Sequence, residues 1–368
     1  MRKSSVLLAL AAISCGGGAP SEGAKAPAGG GDAKHEAEPA APKPPAGPPV
    51  ALDCGDFTTC AIAQGGEVRC WGRDKMGELG DGGGSDRSRS VPVGVNGTQV
   101  KLASNFACAV AEDKSVKCWG SGRITNDGKK LERVKPTSVG GVAGANDISA
   151  SGVIACARSD DGIVCWGADE ATIGKAPKGA FKQVATGFTH ACALDAAGSV
   201  TCWGTGDWAA PKGAFASPGV KGATNLATGD RHACVVKDKK VLCWGQNDAG
   251  QLGTKPDTNS HPKPAEVPSV RDAVRVVAGE ASTCAILADG SAMCWGANPQ
   301  GELGLGKKSS DERPQRTMIS DMTDICLATQ HGCALTKSGK IYCWGGNKHG
   351  QLGDGSNDAH MQPTQVAW

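Results

Sequence analysis

A tripeptide, Cys70-Trp71-Gly72, sets the architecture of this chain, because the same three residues occur seven times in 368. Successive copies begin 37 to 51 residues apart. A nearly regular period in this range is typical of repeat proteins, in which each repeat is one small unit of secondary structure. The other copies are Cys118-Trp119-Gly120, Cys165-Trp166-Gly167, Cys202-Trp203-Gly204, Cys243-Trp244-Gly245, Cys294-Trp295-Gly296 and Cys343-Trp344-Gly345.

Each tripeptide has a second cysteine nine or ten residues upstream. In the first repeat, Cys60-Ala61-Ile62 precedes the turn Gln64-Gly65-Gly66, and Val68 lies two residues before Cys70. This pattern predicts a β-hairpin. A three-residue loop, or a two-residue loop for the shorter spacing, places the two cysteines opposite each other. The pairs are Cys60 and Cys70, Cys108 and Cys118, Cys156 and Cys165, Cys192 and Cys202, Cys234 and Cys243, Cys284 and Cys294, and Cys333 and Cys343.

We predict that these pairs form seven disulfides within the hairpins. Opposed residues of a non-hydrogen-bonded pair have Cα atoms about 4.5 Å apart, at the short end of the range that a disulfide spans. The alternatives are buried free thiols and zinc ligation, although the sequence has no Cys-x-x-Cys or Cys/His quartet. Cys54 and Cys326 lie in the first strands of the first and last repeats. We predict an eighth disulfide between them that closes the ring, the alternative again being two free thiols.

Two more strands flank each hairpin. An apolar segment such as 183–187 precedes it, and a Gly-rich loop and a strand such as 363–366 follow it. Four short strands in each of seven repeats predict an all-β fold, a seven-bladed β-propeller of four-stranded blades, over residues 51–368. Only 4% of the residues are aromatic, so we expect the repeated tryptophans to be the large packing units of the core.

Residues 1–15 have the pattern of a bacterial lipoprotein signal peptide. A basic start precedes a short apolar run, and Ala12-Ile13-Ser14-Cys15 resembles a lipobox in which Cys15 is lipid-modified. The run is too short to span a bilayer, and a secretory signal without lipidation is the alternative. Residues 16–50, rich in Gly, Ala and Pro, predict a disordered tether. We therefore expect an extracytoplasmic, lipid-anchored protein of the cell envelope, at the outer membrane or cell surface, which also agrees with its cysteine content.

The repeat resembles that of the regulator of chromosome condensation family. The loop Asn247-Asp248-Ala249-Gly250-Gln251-Leu252-Gly253 and its counterpart at 347–353 match the family pattern Asn-x-x-Gly-Gln-Leu-Gly, with looser copies at 74–80 and 298–304. The resemblance covers the chain beyond residue 50 and implies a seven-bladed propeller. The second, third and fourth repeats lack this loop, and the paired cysteines are not part of the family pattern. The histidine of the family pattern is matched by His190, His232 and His331.

The resemblance leaves the function open, because a fold does not determine a function. Members include an exchange factor for the Ran GTPase, a plant ultraviolet-B photoreceptor and a secreted β-lactamase inhibitor. The sequence shows no catalytic constellation or cofactor motif, the histidines are expected to be structural rather than metal ligands, and a net charge of +2 lacks the basic footprint of a nucleic-acid binder. We predict a monomeric, non-enzymatic module that binds an unidentified extracytoplasmic protein and needs no cofactor or metal. The alternatives are an exchange-factor-like regulator, which export opposes, and an inhibitor of an extracytoplasmic enzyme.

A partner contact is predicted in the fourth repeat. Trp208, one of two tryptophans outside the tripeptide, lies in a Gly/Pro/Ala-rich loop with Phe215. Such a tryptophan is either a plug folded onto its own blade or an exposed anchor for a partner. Trp208 and Phe215 are therefore the candidate contact residues.

Overall fold

The repeated tripeptide lies at or near the end of the second strand of a β-hairpin in every repeat. In the computed structural model, which describes residues 44–167, 173–205 and 216–368, the two cysteines of each hairpin are cross-strand partners. The hairpins are β2 (Thr58–Ala63) with β3 (Glu67–Gly72), β5 (Phe106–Ala111) with β6 (Val116–Gly122), β9 (Ile154–Ser159) with β10 (Gly162–Trp166), β12 (His190–Asp195) with β13 (Val200–Gly204), β15 (His232–Lys237) with β16 (Lys240–Asn247), β19 (Ser282–Leu287) with β20 (Ala292–Asn298), and β23 (His331–Thr336) with β24 (Ile341–Gly345).

A first strand pairs with each hairpin on one side, and a last strand pairs on the other side in most repeats. The first strands include β1 (Pro49–Gly55), β8 (Asp147–Ser151), β11 (Phe181–Thr186), β14 (Asn225–Thr228), β18 (Ala273–Ala278) and β22 (Met322–Leu327). The last strands include β7 (Leu131–Ser138), β17 (Asp257–Glu266), β21 (Ser309–Arg316) and β25 (His360–Gln365). Strand β1 begins two residues inside the range assigned to the tether, because Pro49 pairs with Ala63.

The all-β prediction is confirmed for the described residues, but the strands are not divided as expected. Strand β4 (Arg87–Leu102) is both the last strand of the first repeat and the first strand of the second, so the two repeats form one seven-stranded sheet. Its pairing with β3 slips around Gly94, whose φ is 81°. The third and fourth repeats show three strands each among the described residues. No helix in these ranges has the length and apolar character that crossing a membrane requires.

The hydrophobic core lies between repeats rather than within them. Trp119 of the second repeat packs against Ile62 and Leu79 of the first. The pattern continues around the chain until Trp71 of the first repeat packs against Ile341 of the seventh. The first strands also contact one another in a closed series, from β1 through β4, β8, β11, β14, β18 and β22 back to β1. The tryptophans are therefore the core residues, as expected, but each one joins two repeats.

A hydrogen bond reinforces four of these interfaces. Trp71 Nε1 donates to the carbonyl of Gln351 at 3.0 Å. Gly353 follows in the same loop with a φ of 68°, and a Cβ there would lie 2.5 Å from Trp71 Nε1, so only glycine fits. The acceptors all belong to the Asn-x-x-Gly-Gln-Leu-Gly loops or their looser copies. The other bonds join Trp119 to Glu78 at 2.8 Å, Trp295 to Gln251 at 2.9 Å and Trp344 to Glu302 at 2.7 Å.

Among the described residues, this hydrogen bond is missing at two interfaces where the preceding repeat lacks the loop. Ile124 packs in the cluster of Trp166, and Ile173 in that of Trp203, in the position that leucine holds elsewhere. The indole nitrogens of Trp166 and Trp203 are nevertheless buried without a hydrogen-bond partner among the described residues. At these two interfaces the apolar contact is kept, whereas the part of the chain that the structure describes offers the indole nitrogen no acceptor.

Candidate functional site: the central cavity

Eight disulfides take up 16 of the 17 cysteines. Seven of them close the hairpins, with Cα atoms 4.0–4.1 Å apart. The eighth joins Cys54 in β1 to Cys326 in β22, with Cα atoms 5.5 Å apart. This bond covalently links the first repeat to the last. Cys15 lies outside the described residues.

The three family histidines are buried at the interfaces between repeats. His331 Nε2 lies 2.8 Å from the hydroxyl of Thr59 in the first repeat. That hydroxyl donates to Gln351 O, so His331 donates through Nε2. His232 makes the same contact with the threonine of the next repeat. Burial lowers the pKa of His331 and of His190 to about 3 and that of His232 to about 4, so the rings are neutral near neutral pH.

A central cavity of about 640 Å³ is lined by the first strands of all seven repeats. Side chains of one first strand bind the backbone of the next. Gln183 Oε1 accepts from the N–H of Leu226 at 3.0 Å, and Asn225 Oδ1 accepts from that of Val276 at 2.8 Å. These bonds fix the spacing of the wall. The equivalent bonds run to Asp53 from Leu102, to Gln99 from Ile148, and to Asp147 from Val184.

Two ion pairs neutralise the basic groups of the cavity. Lys101 Nζ lies 2.9 Å from Asp53, and Arg275 lies 2.9 Å from Asp324. Burial alone would lower the pKa of Lys101, but the charges of Asp53 and Asp324 outweigh it and raise the pKa. Both cations are therefore held in pairs within the wall.

One end of the cavity, which we call the mouth, carries a group of carboxylates. Asp56, Asp230 and Glu280 each follow a first strand and line this end. Burial, together with the charges of Glu280 and Asp56, raises the pKa of Asp230 to about 7. Asp230 and Glu280 are also joined through their backbones at 3.1 Å. The mouth is formed by the residue one or two positions beyond each first strand: Asp56, Ser104, Gly152, Phe188, Asp230, Glu280 and Thr329.

An apolar ring lies next to the acidic part of the mouth, because the N–H of Phe188 donates to the carbonyl of Asp230 at 3.4 Å. Phe188 of the fourth repeat is 44% exposed, as is Val153 of the third, which follows Gly152 in the sequence. The ring of Phe188 lies over Gly152, where a Cβ would come within 2.7 Å of it. An exposed aromatic ring is thus held in a defined position by a glycine of the neighbouring repeat.

The sequence did not single out the residues of the mouth. These residues are of different types, so no single residue type marks them in the sequence. Their common feature is positional, since a glycine at the end of a first strand directly precedes Asp56, Phe188, Asp230 and Glu280. The predicted contact residues Trp208 and Phe215 lie outside the described residues.

The fold and the cavity define a class, a disulfide-bonded all-β protein whose repeats surround a central cavity. One family model of the regulator of chromosome condensation (RCC1) repeat matches residues 238–286. A second model of the same repeat matches the chain five times, in the first repeat and in the fourth to seventh. The chain therefore carries RCC1 repeats. The five matches are 50–78, 181–207, 223–251, 273–302 and 325–351.

Curated relatives match over part of their length. The E3 ubiquitin-protein ligase HERC2 of Mus musculus is 27% identical over 276 residues, which are 64% of this chain and 6% of that protein. The probable E3 ubiquitin-protein ligase HERC4 of Homo sapiens is 29% identical over 167 residues, 40% of this chain and 16% of the relative. The chain thus spans a small fraction of these proteins.

Solved structures of the propeller type resemble the fold. Prp20p from Saccharomyces cerevisiae has a TM-score of 0.53 and 20% identity, and the match covers 87% of this chain and 77% of that one. The ectodomain of the Physcomitrella patens receptor kinase CR4 has a TM-score of 0.56 and 20% identity. The match covers 81% of this chain and 74% of that one. Likeness at this level of identity concerns the fold alone.

Proposed function

We propose that this protein is a non-enzymatic, monomeric module that binds another extracytoplasmic protein at the mouth of its cavity. The observation that carries the proposal is the exposed ring of Phe188, which lies over Gly152 at a mouth that also contains carboxylates. Aromatic anchors surrounded by polar groups are typical of the energetic centres of protein interfaces. Trp208 and Phe215, in the same repeat as Phe188, remain a predicted second contact.

We also propose that the repeats form a closed seven-bladed propeller. Support comes from the seven disulfide hairpins, from a tryptophan cluster at each interface and from the contact of β1 with β22. Such a ring orders the mouth before a partner arrives. Pre-ordered contact residues lose less conformational entropy on binding, which favours affinity.

We further propose that the module is a lipoprotein of the cell envelope. The eight disulfides favour an oxidising compartment, and the first 15 residues have the pattern of a lipoprotein signal. We predict that radiolabelled fatty acid enters the wild-type protein and that the Cys15→Ser variant loses this label completely. Expression of both forms to equal levels is the control, and equal labelling would contradict the proposal.

The partner site is tested with Phe188→Ala. Because Phe188 is exposed, we expect a nearly unchanged thermal midpoint and a loss of about 2 kcal/mol in partner affinity, roughly 30-fold. Immobilised wild-type protein and variants are compared on the same envelope extract by quantitative mass spectrometry. The affinity of each protein depleted by the substitution is then measured with purified components.

Val274→Ala is the matched control. Val274 is 52% exposed and lies at the other end of its first strand from the mouth, so it should leave capture unchanged. If Phe188→Ala and Val274→Ala retain the same proteins as the wild type, the mouth is not the partner site.

A further inference from the structure

One position in the first strands decides which hairpin disulfide has a second disulfide beside it. In the seventh repeat this position holds Cys326, which is the cross-strand partner of Cys333. In the other six repeats the residue opposite the upstream cysteine of the hairpin carries no sulfur. These six residues are Asp53, Lys101, Ser149, Ala185, Ala227 and Val277.

Two disulfides therefore lie next to each other where the first and seventh repeats meet. Cys333 faces Cys326 on one side and Cys343 on the other, so these three side chains share one face of the sheet. Cys54 approaches that face from the first repeat and is bonded to Cys326. All four cysteines belong to the hydrophobic cluster between these two repeats.

Sulfur atoms of the two disulfides approach each other in this cluster. The Sγ atoms of Cys54 and Cys333 lie within 4.8 Å of each other. A change of rotamer at a free cysteine moves its Sγ atom by about 3 Å, so a thiol at Cys54 can reach Cys333 without movement of the backbone. A ring nitrogen of His331 lies within the same distance of both sulfur atoms, but both are in disulfides, so the group is not a thiolate site for a metal.

The two disulfides differ in their access to solvent. Cys54 and Cys326 line the central cavity and are 9% and 4% exposed. Cys333 and Cys343 are fully buried and do not line the cavity. A small thiol that enters the cavity therefore meets the disulfide between the first and seventh repeats, and not the disulfide of the last hairpin.

We propose that these four cysteines form a thiol–disulfide exchange site that a small dithiol reduces from the central cavity. A thiolate of the dithiol attacks Sγ of Cys326, and Sγ of Cys54 leaves as a thiolate. The second thiol of the dithiol then attacks the first, which releases Cys326 as a thiol and converts the dithiol into its cyclic disulfide.

The Cys54 thiolate next attacks Sγ of Cys333. The Cys54–Cys333 bond forms, the Cys333–Cys343 bond breaks, and Cys343 leaves as a thiolate that takes up a proton. Two electrons and two protons have passed from the dithiol to the protein, which now has thiols at Cys326 and Cys343. The new bond again joins the first repeat to the seventh, so the covalent link between them survives a reduction that would otherwise break it.

Cys326→Ser tests the exchange step without a reductant, because it leaves Cys54 as a free thiol beside the intact hairpin disulfide. The oxidised full chain is held at about pH 8, where thiolates form, and is then unfolded at about pH 6 with excess N-ethylmaleimide. Labels and disulfides are assigned to individual cysteines by mass spectrometry of peptides. We expect the Cys54–Cys333 bond, with the label on Cys343, in at least about a tenth of the molecules.

The matched control is Cys284→Ser, which leaves a free thiol at Cys294 in the sixth repeat. The first strand places Val277 opposite position 284, so no second disulfide lies beside this hairpin and the label should stay on Cys294. Label on Cys54 alone in Cys326→Ser, or an equal spread of label in both variants, would overturn the proposal.

Two double variants test the geometry by itself. Cys326→Ser/Cys343→Ser leaves Cys54 and Cys333, which should form a disulfide in a glutathione redox buffer. Cys54→Ser/Cys333→Ser leaves Cys326 and Cys343 on β22 and β24, with one strand between them. They are about 9.6 Å apart by strand spacing, beyond the reach of a disulfide, and should stay thiols. Oxidation of both pairs, or of neither, would count against the exchange site.

Wild-type protein equilibrated with one equivalent of dithiothreitol tests the complete sequence of steps. Among the molecules that have lost the Cys54–Cys326 bond, we expect the Cys54–Cys333 bond and thiols at Cys326 and Cys343. A Cys326–Cys333 bond in its place, or an intact Cys333–Cys343 bond beside two thiols, would show that Cys54 does not carry the exchange.

Discussion

Replacing Cys54 and Cys326 together by serine is expected to lower the free energy of unfolding by about 5–6 kcal/mol and the thermal midpoint by roughly 10 °C. The bond joins residues 272 positions apart and therefore removes much more entropy from the unfolded chain than a hairpin disulfide, whose cysteines are 9 or 10 apart. It also holds the interface at which the chain closes on itself, between the seventh repeat and the first.

That interface has the disulfide but lacks one kind of hydrogen bond that most of its neighbours have. At five of the other interfaces in the wall, a side chain of one first strand accepts from the backbone of the next, as Asp147 does from Val184. At the seventh repeat, Asp324 instead accepts from the N–H of Ile325 in its own strand. Other polar contacts do cross this interface, among them the bonds of Trp71 and Thr59 to Gln351 and, at the mouth, the bond of Thr329 to Asp56.

The control for this experiment is Cys60→Ser/Cys70→Ser, which opens a hairpin. Its loop is short, and the same entropy model gives about 2.8 kcal/mol. Both variants are unfolded with urea under oxidising conditions, with the wild type alongside. If the two pairs of substitutions cost the same, or if the Cys54→Ser/Cys326→Ser variant melts with the wild type, noncovalent contacts alone close the ring.

The second large effect is expected for Trp344→Phe. The smaller ring leaves a gap beside Leu303 and removes the donor to Glu302 O, which accepts from Trp344 Nε1 at 2.7 Å. Loss of packing and an unpaired buried carbonyl together should lower the free energy of unfolding by about 4 kcal/mol. The measurement is equilibrium denaturation of the oxidised protein.

Trp203→Phe separates the hydrogen bond from the packing. Trp203 is as deeply buried as Trp344, but its indole nitrogen has no partner among the described residues, so the substitution removes apolar volume without breaking a bond. We expect it to cost about 1–3 kcal/mol less than Trp344→Phe. Equal costs would mean that the bond from the loop carbonyl adds nothing to the stability of the interface.

The hairpins could be predicted from the sequence because their geometry is local. The two cysteines of a pair are nine or ten positions apart, as Cys60 and Cys70 are. This spacing fixes both the length of the loop and the residues that face each other across the hairpin. The prediction of four strands per repeat was less accurate. The strand that spans Arg87–Leu102 pairs with the hairpin of the first repeat and with that of the second. Its sequence contains Pro92, Gly94 and Gly97, but none of them ends the strand.

The candidate site was not predictable in the same way. The tryptophans were recognised as core residues, but the sequence did not show that each packs on the preceding repeat, which depends on how neighbouring sheets stack. The cavity brings together residues that are even farther apart in the sequence. Asp56 and Asp230 are 174 positions apart, yet the charge of Asp56 helps to raise the pKa of Asp230 at the mouth.

The sequence by itself determined the repeat, the hairpin register and the opposed cysteines, because turn length and side-chain alternation act within a dozen residues. Only the tertiary structure decided that one residue from each repeat, whatever its type, reaches the same end of the cavity. The acidic and apolar sides of the mouth follow from which repeats are neighbours in space, and a period of 37 to 51 residues carries no record of that neighbourhood.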